Sequence, residues 1–216
     1  MFIERLARAT LTGVTLCMLS FALSAQGLLD DLTVAVANDR ADDVKRLLAR
    51  GMDPNSVDAS GDTLLGIAAR NGSARTVAVL VAAKADPEKP NRFGDTPLLL
   101  ASLKGDLDTV RALVAAGATI NPRGWTPLIY AATGGHDAVA TFLLQRGADI
   151  NAASPNGTTA LMMAVRGGHG ATVDLLLARG ADVNRRNQNG ATALGWATRG
   201  GFEAIERALR VRGARN

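Results

Sequence analysis

The chain has 216 residues, 47% of them apolar but only 4% aromatic, and a formal charge of +4 at pH 7. Its core must be built from Ala, Leu and Val, which suits closely packed helices and points away from a β-sandwich or barrel. Charge gathers at the end, where residues 179–216 hold eight Arg against Asp182, Glu203 and Glu206, a net +5. Such a tail favours acidic partners or simply solvates an end cap. The dense basic stripe interleaved with aromatics that nucleic-acid binding needs is absent.

Residues 1–25 differ from everything after them. Arg5 and Arg8 precede an apolar run from Ala9 to Leu23, closed by the small residues Ser24 and Ala25. This order of basic, apolar and small regions predicts a bacterial Sec-type signal peptide, cut after Ala25 or after Ser24, and hence a periplasmic or secreted protein. Leu23 is larger than the position usually carries, so an uncleaved membrane anchor is the rival reading. The run of about 15 to 17 residues is shorter than the roughly 20 that a spanning helix needs. Cys17, the single cysteine, lies inside the run. Leu16 before it is too bulky for a lipoprotein signal, and loss of Cys17 with the signal peptide would leave a mature chain without a thiol, as suits an oxidising compartment.

From there the chain repeats itself. Gly61-Asp62-Thr63-Leu64-Leu65, Gly94-Asp95-Thr96-Pro97-Leu98, Gly124-Trp125-Thr126-Pro127-Leu128, Gly157-Thr158-Thr159-Ala160-Leu161 and Gly190-Ala191-Thr192-Ala193-Leu194 align, with threonines spaced by 33, 30, 33 and 33. Each threonine stands where a hydroxyl can accept from open amides at a helix start. Pro97 and Pro127 follow at the first turn, where a missing N–H costs nothing. Glycines at 72, 105, 135, 168 and 201 end that helix. A second helix carries Leu47, Leu80, Leu113, Leu143, Leu176 and Leu209 at one phase. It is followed by turns such as Gly147-Ala148-Asp149-Ile150-Asn151 and Gly180-Ala181-Asp182-Val183-Asn184. No helix pair can cover its apolar surface alone, so neighbours must stack.

With both the Thr-Pro-Leu and the Gly-Ala-Asp-x-Asn elements on a period of 33, the chain resembles the ankyrin repeat family over about residues 28–216. The resemblance implies an all-α solenoid of about six helix-turn-helix repeats with β-turn fingers, at about 28–57, 58–90, 91–123, 124–153, 154–186 and 187–216. The family usually places His after Thr-Pro-Leu, where this chain has Gly66, Leu99, Ile129, Met162 and Gly195. The spacing of 30 predicts one shortened finger between Asn121 and Gly124, and Lys84 stands where the other turns have glycine. Polar Glu206 and Arg210 replace apolar residues in the last repeat, as a solvent-facing cap requires.

Little in this pattern suggests chemistry. His136 and His169 are one period apart, each after Gly-Gly, and a capping or packing role is expected of them. No nucleophile elbow, phosphate loop or His-Glu-x-x-His helix occurs. A non-catalytic chain without cofactor or metal is expected. The resemblance implies protein binding through finger tips and the first helices, which line the concave side. The candidate contacts there are Arg70, Asn71, Arg92, Phe93, Asp95, Leu103, Lys104, Arg123, Trp125, Thr133, Asn156, Thr158, Arg166 and Arg199. Phe93 and Trp125 sit on adjacent fingers, where aromatic side chains serve as binding anchors or pack on the neighbouring finger. Arg70, Lys104, Arg166 and Arg199 form a broken basic row, or else solvate helix ends. Trp196, in phase with Ile67, Leu100, Tyr130 and Met163, reads as core. The leading expectation is a monomeric periplasmic scaffold or adaptor for a protein with acidic and apolar surface. An anchored envelope protein and a secreted effector are the alternatives, and no nucleic-acid partner is expected.

Overall fold

The computed structural model describes residues 27–215, all of its regular structure helical apart from two isolated β-bridges. The expected signal segment, with Cys17, lies outside the described residues. Helices come in pairs: α1 (residues 27–37) with α2 (Ala41–Ala49), α3 (Leu64–Asn71) with α4 (Ala74–Ala82), and α5 (Pro97–Lys104) with α6 (Leu107–Ala115). The remaining pairs are α7 (Pro127–Gly134) with α8 (Asp137–Gln145), α9 (Ala160–Arg166) with α10 (Gly170–Ala178), and α11 (Ala193–Gly200) with α12 (Glu203–Val211). The inner helices α3, α5, α7, α9 and α11 pack each on the next, and the outer helices α2, α4, α6, α8, α10 and α12 form a second layer behind them.

Local chemistry sets these boundaries. The hydroxyls of Thr63, Thr126, Thr159 and Thr192 accept from the backbone N–H of Gly66, Ile129, Met162 and Gly195. Thr96 is the exception: its backbone has the same extended entry, but its side chain makes no capping bond. Gly72, Gly105, Gly135 and Gly201 end the inner helices with left-handed backbone, and Gly168 does so two residues beyond the end of α9. Lys84 keeps the left-handed turn that glycine makes elsewhere, at φ +70°. The amide of Ala85 still reaches the Leu80 carbonyl at 2.9 Å, as Ala118 reaches Leu113. The turn geometry therefore survives at a cost in backbone strain.

One apolar core runs the length of the stack from Leu32 to Leu209. Leu80, Leu113, Leu143, Leu176 and Leu209 are fully buried at their shared phase. Leu47, in the first described repeat, is only partly covered. Trp196 is likewise half-buried, not core: it belongs to the last described inner helix, with no further helix pair packed on it among the described residues. On the outer face of that cap Glu206 takes Arg210 at 2.8 Å and the Thr198 hydroxyl at 3.1 Å.

Candidate interaction surface

The fingers are held by polar side chains whose roles are not evident from the repeat consensus. At each complete tip one short polar residue accepts from backbone amides across the turn. Asp58 accepts from Ser60 and Asp62, Asn91 from Phe93 and Asp95, Asn187 from Asn189 and Ala191, and the Ser154 hydroxyl from Thr158. A second set links successive fingers. Side-chain oxygens of Asn55, Glu88, Asn121, Asn151 and Asn184 accept from the amides of Asp86, Thr119, Asp149, Asp182 and Arg215, all at 2.7–2.9 Å. A polar residue three positions before each finger glycine is the sequence signal that could have identified the tip anchors.

The shortened finger keeps the ladder but loses the tip. Asn121 bonds the Asp149 amide and donates to the Gly147 carbonyl. Counting back from Gly124, the tip anchor would fall on this same Asn121, so one residue cannot serve both purposes. The chain instead runs directly through Pro122 and Arg123 to Trp125. This leaves a low step between the finger of residues 86–96 and that of residues 149–159.

Exposed aromatics stand on that step and on the finger before it. Phe93 is 71% exposed, with the Arg92 guanidinium 4.7 Å from its ring centre. Trp125, 38% exposed, stands edge-on to Tyr130 at 6.0 Å and 87°. The Tyr130 hydroxyl donates to Asp95 at 2.6 Å. Burial first, then that hydrogen bond and the Asp95 charge, push the phenol above its ordinary range. In the other fingers the slot of Trp125 holds Asp62, Asp95, Thr158 or Ala191, all smaller. The indole is too large to turn inward, so Tyr130 steadies one edge while part of it meets solvent.

The other candidates divide by what they already hold. Arg70 is paired at 2.7 Å with Asp62, which is nearly buried. Asn71 donates to the Ala37 carbonyl, and Thr133, half-buried, donates to Ile129 of its own helix. Asn156 is exposed, with its side-chain oxygen engaged by Ser154. Leu103 presents an exposed apolar side chain, and Lys104, Arg123 and Arg166 are exposed without a charged partner among the described residues. Arg199 is exposed and donates through Nε to Gly195. Thr158 must be withdrawn as a contact: it is 2% exposed, because the residue after the finger glycine turns inward, as Asp62 does.

Both histidines face the preceding repeat. His136 Nε2 lies 2.8 Å from the Leu103 carbonyl and His169 Nε2 3.0 Å from that of Thr133. A carbonyl only accepts, so each ring carries its proton on Nε2. Neither caps its own helix with its side chain. Among the described residues no group of three or more His, Cys, Asp or Glu is placed to hold a metal ion, and no helix is long and apolar enough to cross a membrane.

Comparison with known proteins agrees with this architecture. The family described as ankyrin repeats (3 copies) matches residues 32–123, 77–154 and 147–215. No curated protein sequence matches. Among solved structures, the crystal structure of the human ASB11 ankyrin repeat domain is similar, at a TM-score of 0.80 and 27% identity. The match covers 85% of this chain and 84% of that one.

Proposed function

Since the chain belongs to the ankyrin repeat family, whose repeats are generally protein–protein interaction modules, we propose that it is an exported, non-catalytic scaffold or adaptor that holds a partner protein against its fingers and inner helices. The observation that carries this reading is the pair of exposed aromatics, Trp125 on the shortened finger and Phe93 on the finger before it. An aromatic side chain exposed on a rigid finger is a poor use of apolar area unless something covers it. Exposed Lys104, Arg123 and Arg166, without a charged partner among the described residues, favour a partner with acidic as well as apolar surface. Export rests on the order of basic, apolar and small residues in 1–25, and periplasmic residence on the same segment. The non-catalytic reading is supported by the two histidines, whose Nε2 protons are spent on backbone carbonyls.

The test is affinity capture from bacterial envelope extract with wild type and with Phe93→Ala/Trp125→Ala, both shown folded by circular dichroism. A partner captured by the first and lost by the second supports the surface; a partner retained by both moves the site elsewhere. The mass of the protein recovered from the periplasm checks export, and retention of residues 1–25 would favour the anchored form.

A further inference from the structure

At the C-terminal end of the inner row, Arg166, Trp196, Arg199, Gly200 and Phe202 line a surface cleft between α9 and α11. Its floor is aromatic. Trp196 is half-buried, and Phe202 takes the place that His136 and His169 take in earlier repeats. The Phe202 ring lies over Gly168 and Gly200: a Cβ on Gly200 would come within 2.5 Å of it, and one on Gly168 within 3.0 Å. The two glycines therefore make the room that the ring fills, and unlike an imidazole the ring carries no N–H to spend on the preceding repeat.

Its rim is cationic. Among the described residues Arg166 has no acid partner, and Arg199 bonds only through Nε, to the Gly195 carbonyl, which leaves its Nη groups open. No carboxylate lines the cleft, and Glu206 on the adjoining α12 is already held by Arg210 and Thr198. Two guanidiniums on the rim of one cleft attract an anion, and the planar fork matches a carboxylate. The same helical position on α5 and α7 is uncharged, Leu103 and Thr133, so the cations form a local pair and not the long stripe a polyanion needs.

The geometry points to a second subsite of the partner-binding surface, a cleft that takes an acidic peptide segment of the partner. Its carboxylates lie against Arg166 and Arg199, and an adjacent apolar side chain lies on Trp196 and Phe202. This rests on the reading of the chain as a protein-binding scaffold, and adds the chemistry of what is bound.

The probe is a blocked peptide, Gly-Glu-Glu-Leu-Glu-Glu-Gly, titrated into the Trp125→Phe protein, in which Trp196 is the one remaining tryptophan of two. The expected result is a saturable change in Trp196 emission. Binding should weaken about tenfold in each of Arg166→Gln and Arg199→Gln, and as much when Gln replaces Glu in the peptide. The inference is overturned by an unmoved Trp196 signal, by equal binding of the Gln peptide, or by arginine variants that stay folded by circular dichroism and bind as before. Phosphatidylglycerol vesicles or a single-stranded oligonucleotide that bind with the same arginine dependence and displace the peptide would assign the cleft to another class of ligand. A failed titration with capture through Phe93 and Trp125 intact removes this inference alone. Lost capture with the titration intact removes the finger surface alone.

Discussion

Thr109→Val is expected to stabilise the protein, and the isosteric change Thr172→Val to destabilise it. Both threonines lie at one phase of the outer helices, fully or almost fully buried, and Val139 fills the same position in α8 with no exposure at all. The difference lies in the preceding repeat. Thr172 donates to Asp137 at 2.5 Å, whereas the residue corresponding to Asp137 for Thr109 is Ala74, and the Thr109 hydroxyl has no partner among the described residues. A buried hydroxyl without a partner costs ~1–3 kcal/mol, and a methyl of the same shape removes that cost, so Thr109→Val should gain about 1 kcal/mol. Thr172→Val loses a bond to a charged acceptor, worth ~1.5–3 kcal/mol, of which resolvation of the partly exposed Asp137 returns some, leaving a cost of about 1–2 kcal/mol. For a domain of this size 1 kcal/mol corresponds to ~2–4 °C in melting temperature. Urea unfolding followed by circular dichroism, compared at equal m-value, reads both changes. Midpoints that move in the same direction, or a Thr109→Val protein less stable than wild type, would refute the argument.

Lys84→Gly should raise the unfolding midpoint, because relief of ~1–2 kcal/mol of left-handed strain exceeds the ~0.4–1 kcal/mol of added chain entropy in the unfolded state. Gly147→Ala, at φ +86° with nothing within 4 Å of the new Cβ, should lower it through the backbone alone. A midpoint that falls in Lys84→Gly contradicts the strain assignment. Asn121→Ala removes the side-chain bonds to Asp149 and Gly147, and should cost about 1 kcal/mol with faster hydrogen exchange at the Asp149 amide. Unchanged protection there would show that the ladder does not pass through Asn121. Arg210 foremost, then Thr198, hold the Glu206 carboxyl below its ordinary 4.5. Its contribution is therefore present at neutral pH and lost as pH falls through the depressed folded value. The melting-temperature advantage of wild type over Glu206→Gln should disappear on that acid side, and an advantage that persists there would rule out the ionised pair as its source.

The step in the finger row shows how an insertion or deletion acts on a solenoid. Three residues fewer between Asn121 and Gly124 leave α7 stacked on α5 and α9, because the helices carry most of the apolar phase and the deletion falls beyond Ile120, which still packs against the core. What changes is the edge: the tip turn anchored by Asp58, Asn91, Ser154 and Asn187 elsewhere is gone, and Trp125 emerges beside it. The basic C-terminal cap and the Arg166–Arg199 cleft lie at the same end of the inner row, so a partner reaching both the step and the cap would run along α7, α9 and α11.

Helix register, the order of the pairs, the shortened finger and the polar caps are legible in the chain alone. Each depends on contacts within a repeat or between identical phases of neighbouring ones, and a period of 33 writes such contacts directly into residue type. Which surface side chains remain available was decided only by tertiary structure. Arg70 is tied to Asp62 and Asp95 to Tyr130, Thr158 turns inward, Trp196 is left half-covered by the end of the stack, and Phe202 stands over Gly168 and Gly200. Local pattern cannot distinguish these from free residues, because most of their partners lie in another turn, another helix or another repeat, at distances along the chain that depend on how the repeats stack.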